Sequence, residues 1–252
     1  MSLYEYPLNE RTRLFLRLEG VFARLRSPLG SDAPGTLRAA LRACNEILDF
    51  CNRPELRLDL ILELERLAHT FALWAQSPEV DADQLRGLQF RVDQRLQLLR
   101  EKRAPFGEAL RHQEIINLAR GRLGVPGGLA DCDLPILAFW CQRAPEEIAA
   151  LLASWVESLE GLEEGVSLVL DLIRESCSWS LAEAADGRYG APLNPRQPPA
   201  LVCIRLRDGL GYFPKFSGGA HRFHIHFLQW LDQGTTRLLE SPVEFHLGLS
   251  AL

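Results

Sequence analysis

The chain has 252 residues, of which 47% are hydrophobic and 24% are charged, a composition typical of folded globular proteins. Its formal net charge of -5 argues against general binding to nucleic acid, which requires a strongly basic surface. No apolar run reaches the roughly 18 residues of a membrane span, and the first residues lack the pattern of a secretory signal. We therefore expect a protein without membrane insertion and without nucleic-acid binding.

Apolar residues recur at helical spacing up to about residue 176. Asn9 is a candidate cap for a first helix, and a second helix is predicted over residues 36–52. Pro54 fits the first turn of a third helix, whose buried side is expected to include Leu58. A long amphipathic helix is predicted over residues 81–103, and further helices over 107–122, 134–142, 145–159 and 162–176.

The six cysteines, at positions 44, 51, 132, 141, 177 and 203, show no C-x-x-C pair and no zinc-like spacing. Cys44 and Cys51 lie seven residues apart on the predicted second helix, so they share one face as small buried groups. The pattern indicates a cytoplasmic protein with reduced thiols.

From Cys177 onward, short alternating runs replace the helical pattern. Strands are predicted over residues 201–207, 222–227 and 242–249, with 177–181 as a further candidate. Asp208-Gly209 is a predicted turn, and the three prolines within 194–199 predict a loop. The predicted fold class is therefore α+β, with a helical domain over 1–176 and an antiparallel β domain over 177–252.

The two parts differ in charge. Residues 1–176 hold 21 basic and 27 acidic residues, whereas residues 177–252 hold 7 basic and 6 acidic residues and four of the six histidines. Five basic residues and the single acid Asp208 lie between Arg196 and His226. An acidic chain thus carries a local basic patch.

Alternation along a strand sends successive side chains to opposite faces. The predicted inward set is Val202, Ile204, Leu206, Phe223, Ile225 and Phe227. The predicted outward set is Cys203, Arg205, Arg207, Arg222, His224 and His226. If the two strands are neighbours, their outer faces form one cationic surface for an anion or an acidic peptide. The alternative is that they are ordinary solvated faces of a half-buried sheet.

A second alternative is a metal site. His221, His224 and His226 have a spacing that can hold zinc, with His246 as a possible further ligand, and an open position would then make a zinc-dependent hydrolase. Against this, the charge of Arg222 among these histidines opposes a cation.

Several stretches in one order along the chain resemble the ZapD family. They are YEYPLNERTRLFLRLE (4–19), RGRLGVPGG (120–128), DLPIL (133–137), VLDLIR (169–174) and YFPKFSG (212–218), followed by Arg222-Phe223. The resemblance implies a cytoplasmic cell division protein at the midcell Z-ring. It further implies a homodimer with a helical body and flanking β modules, which binds the C-terminal tail of FtsZ and cross-links filaments without catalysis or a cofactor.

By position, Arg222, Arg53 and Arg17 match basic residues of the family, and His226 stands where the family commonly has a second arginine. Glu114 and Ala138 stand where basic residues are expected in relatives. With the cationic surface, the candidate tail-binding set is Arg222, His226, His224, Arg205, Arg207, Lys215, Arg53, Arg57 and Arg17. An adjacent apolar groove lined by Tyr212, Phe213 and Phe216 is a further expectation.

Overall fold

The computed structural model describes residues 1–27, 35–78, 80–102, 104–196, 198–219, 221–231 and 234–252. Within them, the chain forms eight helices and eight strands, so the predicted α+β class is confirmed. The helices are α1 (Glu10–Arg26), α2 (Thr36–Cys51), α3 (Leu56–Trp74), α4 (Ala82–Glu101), α5 (Glu108–Arg111), α6 (Glu114–Arg120), α7 (Pro135–Cys141) and α8 (Pro145–Glu175). The strands are β1 (Ser2–Pro7), β2 (Cys177–Ala184), β3 (Arg188–Pro192), β4 (Leu201–Leu206), β5 (Tyr212–Gly218), β6 (Arg222–Trp230), β7 (Thr236–Leu238) and β8 (Val243–Ser250).

The chain divides into two compact units. The β unit combines Met1–Leu16 with Leu170–Leu252, and the helical unit is Arg17–Val169. This grouping differs from the division at residue 176 predicted from the sequence, because β1 pairs with β4 in an antiparallel register from Ser2 opposite Leu206 to Pro7 opposite Leu201. The N-terminal segment is thus part of the β unit.

Two sheets build the β unit. Sheet 1 has the strand order β1-β4-β8-β2, and sheet 2 has the order β3-β6-β5, with β7 also paired to β6. The alternate residues of β4, β6 and β8 that point inward form one buried apolar cluster, which belongs to both sheets. The sheets therefore pack face to face as a sandwich, and their outer faces point in opposite directions.

The helices are stabilised by apolar stripes and a few specific polar contacts. The buried stripe of α1 consists of Leu14, Leu18, Val21, Phe22 and Leu25. The side chain of Asn9 caps this helix by accepting a hydrogen bond of 2.8 Å from the backbone N–H of Thr12. Arg26 of α1 donates two hydrogen bonds of 2.5 and 2.7 Å to the carboxylate of Glu163 on α8. Gly165 lets α8 approach α3 closely, because a Cβ there would lie 2.7 Å from Leu60 Cδ2.

Several helix boundaries differ from their predictions. The two helices predicted over 145–159 and 162–176 are one helix, α8, which ends at Glu175. It continues through Gly161 because its buried stripe is unbroken from Leu152 to Ile173. Residues 107–122 form two short helices, α5 and α6, instead of one. Pro54 precedes α3, and Leu58 is exposed, so its predicted burial is wrong. The helix predicted to reach Arg103 ends at Glu101, and Arg103, like Gln197 of the predicted loop, lies outside the described residues.

None of the described helices combines the length and the apolar character that a bilayer crossing requires.

The cysteines are all free, and they differ widely in environment. Burial raises the pKa of Cys44 to about 12 and that of Cys51 to about 11. The sulfur atoms of Cys203 and Cys177 are 3.9 Å apart and form a hydrogen bond. This bond, together with burial, raises the pKa of Cys203. The same bond lowers the pKa of Cys177. Cys44 is buried as predicted, whereas Cys51 is only half-buried, so its predicted burial is wrong. Since the thiolate is the reactive form, both thiols are expected to react more slowly than an exposed cysteine.

Thiol labelling of the native protein at pH 8 tests the expected difference in reactivity between buried and exposed cysteines. Cys132 and Cys141 are exposed and should react at least about a hundredfold faster than Cys44, which becomes reactive only when its helix opens. Mass spectrometry of the labelled peptides measures the ratio, and a Cys132→Ser, Cys141→Ser variant should lose the fast phase. Fast labelling of Cys44 in folded protein would contradict its burial.

Candidate functional site: a basic face on sheet 2

Strand β6 supplies the centre of the candidate site. Phe223, Ile225 and Phe227 are fully buried in the sandwich core, so the alternate residues on β6 point outward, as the sequence predicts. Arg222 and His226 are exposed on this outer face, and His224 between them is half-buried.

The neighbouring strands extend this face sideways. His226 stands directly opposite Arg188 of β3 on one side and Lys215 of β5 on the other. Directly opposed residues share one face of a sheet, so three basic side chains form a row across three strands. We define the basic face as Arg188, Lys215, Arg222, His224 and His226.

Arg188 is a member of the basic face that the sequence pattern does not predict. The five residues of β3, RYGAP, include glycine and proline and alternate only weakly, so they did not predict a strand. Because no strand was predicted there, the sequence did not indicate which way the side chain of Arg188 points. The pairing of Arg188 with His226 of β6 places it on the outer face.

A glycine positions one of the histidines. A Cβ at Gly190, which stands opposite His224, would lie 2.8 Å from His224 Nδ1. The imidazole therefore lies against the backbone of β3, in space that only glycine leaves open. This contact accounts for the partial burial of His224 between two exposed neighbours on the same face.

No carboxylate balances the basic face from within its own sheet. The sequences of β3, β5, β6 and β7 contain four Lys or Arg residues and no Asp or Glu. Sheet 1 differs, since its strands carry three glutamates and one arginine. In the described part of the chain, no carboxylate lies within 4.0 Å of the charged groups of Arg188, Lys215 or Arg222. The face thus presents uncompensated positive charge to solvent, which attracts anions.

The expected union of two cationic strand faces is wrong. Strand β4 lies in sheet 1 and β6 in sheet 2, so Arg205 and Arg207 are separated by the sandwich core from the basic face. Arg205 instead stacks on Trp179 of its own sheet, 3.8 Å from the ring centroid, and is paired in register with His246. The core pattern of β4 and β6 is the same whichever sheet each joins, so alternation alone could not separate them.

Cys203 is buried, although alternation predicts it outside. At that end of sheet 1 the outer face is covered, since Cys177 contacts both Cys203 and the carbonyl oxygen of Ile173 in the last turns of α8. Arg174 also closes this end through hydrogen bonds of 2.7 and 2.8 Å to the carboxylate of Glu5. The strand is therefore buried on both faces where a helix end packs over it.

The histidine cluster does not gain the further ligand that a metal site required. His246 lies on β8 in sheet 1, so its outward side chain faces away from His224 and His226 of sheet 2. His221 precedes β6 and is exposed. Within the described ranges, no group of three or more His, Cys, Asp or Glu side chains is arranged to hold a metal ion.

The expected groove of three aromatic residues is also wrong. Tyr212 and Phe216 face the core, where Tyr212 packs edge-on against Phe227 and Phe216 stacks on Tyr6 at 5.3 Å. Phe213 points to the outer face, opposite Leu228. Tyr212 and Phe216 are an even number of residues apart on β5 and share one face, whereas Phe213 lies on the opposite face.

Arg57 is engaged in holding its own unit together. It donates to the backbone carbonyl oxygens of Leu99 at 3.0 Å and Ala104 at 2.6 Å, and its guanidinium lies 4.2 Å from the ring centroid of Phe106. Burial lowers the pKa of this guanidinium from its ordinary value. Its contacts clamp the segment that follows α4.

Arg17 and Arg53 also belong to the helical unit, and both are exposed. Arg53 lies between α2 and α3, with its guanidinium 5.6 Å from the ring centroid of Phe50. Glu114 is the exposed first residue of α6, which adds negative charge to the helical unit. Of the nine residues predicted for the site, sheet 2 brings together Lys215, Arg222, His224 and His226.

Comparison with known proteins gives the family. The family model described as ZapD, a cell division protein, matches residues 16–226. A protein named cell division protein ZapD from Aromatoleum aromaticum is 31% identical over 249 residues, covering 99% of this chain and 97% of the relative. Proteins of the same name are 33% identical in Cupriavidus pinatubonensis, over 99% of both chains, and 32% identical in Pectobacterium atrosepticum, over 90% of this chain and 89% of the relative. The chain therefore belongs to the ZapD family of cell division proteins.

Proposed function

We propose that the protein binds the C-terminal tail of FtsZ through the basic face of sheet 2 and, as a homodimer, cross-links FtsZ filaments into bundles. It acts in the cytoplasm at the midcell Z-ring, without catalysis and without a cofactor. The observation that carries the proposal is the row of Arg188, His226 and Lys215 across three strands, with no acid in the same sheet.

The chemistry of this face suits carboxylates on a flexible segment. Arg188, Lys215 and Arg222 are charged donors whose exposed groups form no ion pair among the described residues, so a carboxylate can bind without displacing an existing partner. Because the strands fix the backbone positions of the donors, binding orders their side chains and the peptide but requires no ordering of the protein backbone. Affinity should fall with salt, since exposed charges are screened.

Cross-linking needs two such faces in one assembly. A two-fold homodimer carries each surface twice, so it can hold the tails of two filaments at once. Weak single contacts then suffice, because many tails along a filament raise the effective concentration of the next binding event. We assign dimerisation to the helical domain, as the family resemblance implies.

Arg17 and Arg53 are further candidate contacts for FtsZ on the helical unit, because both are exposed cations without a carboxylate partner among the described residues. Arg57 is less accessible, since two carbonyl oxygens and a ring already contact its guanidinium. We assign Arg57 to stability and the two others to binding.

Sedimentation of FtsZ polymers at low speed, with and without the protein, tests the function. The wild type should increase the pelleted fraction of FtsZ and enter the pellet itself. Titration of a tail peptide should show that Arg222→Ala weakens binding by about 1 to 3 kcal/mol, the usual loss for a charge-assisted hydrogen bond. The matched control is Arg207→Ala, an exposed arginine of the same unit that follows β4 of sheet 1.

The proposal fails if the wild type neither binds the tail nor pellets with polymers. Equal weakening by Arg222→Ala and Arg207→Ala would reject the basic face as the site, because only Arg222 lies on it.

A further inference from the structure

We infer that the same face of sheet 2 also binds a bulky apolar side chain of its ligand. The ligand is then an extended acidic peptide that carries a large apolar residue close to its carboxylates. The inference deepens the proposed function and rests on it for the identity of the peptide.

The register of sheet 2 places an apolar area directly beside the basic face. One row beyond Arg188, His226 and Lys215, the outer face carries Leu238 of β7, Leu228 of β6 and Phe213 of β5. Trp230 follows on β6, opposite Thr236. We define the apolar area as Phe213, Leu228, Trp230 and Leu238.

Trp230 is the largest side chain of this area, and 58% of it is exposed. Its ring stacks on no other aromatic ring among the described residues. The other aromatic side chains of β6, Phe223 and Phe227, are fully buried in the core. An exposed tryptophan beside leucines leaves apolar surface in water, and covering it with a partner is favourable.

The dimensions fit one short peptide. Successive outward residues on β6 are about 7 Å apart along the strand. Leu228 therefore lies about 7 Å from His226, and Trp230 lies about 13 Å from His226. An extended peptide has the same repeat on each of its faces. A carboxylate over His226 and its neighbours therefore puts the side chain two or four positions along over Leu228 or Trp230.

A second copy of this chain is a poor occupant of the face. A two-fold contact would bring the basic face of one copy against the same basic face of the other, and like charges would repel. An acidic segment instead neutralises the basic half and covers the apolar half. The continuity of the two halves on one face thus selects the peptide.

The test uses full-length protein and a synthetic peptide of the FtsZ C-terminal tail. Trp230→Ala should weaken binding about tenfold, as expected for a central aromatic contact, and the loss should persist at high salt. The loss caused by Arg222→Ala should shrink as salt rises. Trp230→Phe should keep affinity within about threefold while losing any change in tryptophan fluorescence on binding. The control is Phe90→Ala, which removes an aromatic ring that is 67% exposed on α4.

Two model peptides separate this inference from the proposed function. Both carry glutamates at alternate positions, and one has Phe where the other has Ser, four positions from a glutamate. If the tail does not bind but the Phe peptide binds about tenfold tighter than the Ser peptide, the inference stands and the FtsZ assignment fails. If the tail binds and Trp230→Ala binds it like the wild type, the inference is wrong and the FtsZ assignment stands. If no peptide binds, both are rejected.

Discussion

The double substitution Lys215→Glu with Arg222→Glu is expected to lower the affinity for the FtsZ tail by at least about a hundredfold. Each substitution removes a charge-assisted contact worth about 1 to 3 kcal/mol and adds a repulsive charge. Because no acid of sheet 2 opposes these residues, the change converts an uncompensated basic surface to a mixed one. Peptide titration at two salt concentrations measures the loss, and pelleting of FtsZ polymers should disappear with it.

The matched control is Arg205→Glu with Arg207→Glu. It changes the net charge of the β unit by the same amount, but on the outer face of sheet 1. Tail affinity should stay within about threefold, since the sandwich core separates the two faces and salt screens longer contacts. Thermal unfolding of both variants checks that the fold is intact. If the two double variants lose affinity equally, overall charge and not the basic face governs binding.

Removing residues 2–7 is expected to destabilise the β unit by about 5 kcal/mol. A loss of this size equals the whole free energy of unfolding of many domains. The deletion removes all of β1, and with it the six-residue pairing to β4 and the stack of Tyr6 on Phe216. It also removes Glu5, the partner of Arg174. Limited proteolysis should then cleave within residues 177–252, and near-ultraviolet circular dichroism should lose its aromatic signal.

A matched pair of substitutions on β1 separates side-chain packing from the loss of the strand. Tyr4 faces the core, so Tyr4→Ser should lower the free energy of unfolding in urea by about 2 to 4 kcal/mol. Leu3 lies on the exposed outer face, so Leu3→Ser should lower it by less than about 1 kcal/mol. A larger cost for Leu3→Ser than for Tyr4→Ser would mean that β1 does not pair in this register, because a shift by one residue exchanges the two faces.

Local pattern predicted much of the fold. Asn9 caps α1 where expected, and the alternation along β6 buries Phe223, Ile225 and Phe227. Pattern failed where several local signals compete. The two helices predicted over 145–159 and 162–176 imply a break at residues 160–161, yet the apolar stripe on both sides packs as one surface. This packing outweighs the roughly 1 kcal/mol cost of Gly161 in a helix.

The residues of the candidate site come together through the pairing of strands, and the local sequence pattern does not indicate which strands pair. Lys215 and Arg222 were predicted, but Arg188 joins them only because β3 pairs with β6. Arg205 showed the same alternating signature as Arg222 and lies in the other sheet. Which strands are neighbours is decided by contacts between distant residues. The sequence therefore pointed to several basic residues of the unit, but neither to Arg188 nor to the division of these residues between two faces.

The pairing of β1 with β4 also sets an order of events during synthesis. The residues of the helical unit, Arg17–Val169, are made between the two strands, and Ser2 meets Leu206 about 200 residues later. At ribosomal speeds of about 5 to 20 residues per second, β1 stays without its partner for about 10 to 40 s. The helical unit has its whole sequence available during that interval, whereas the sandwich, and the basic face with it, can close only when the last strands are made.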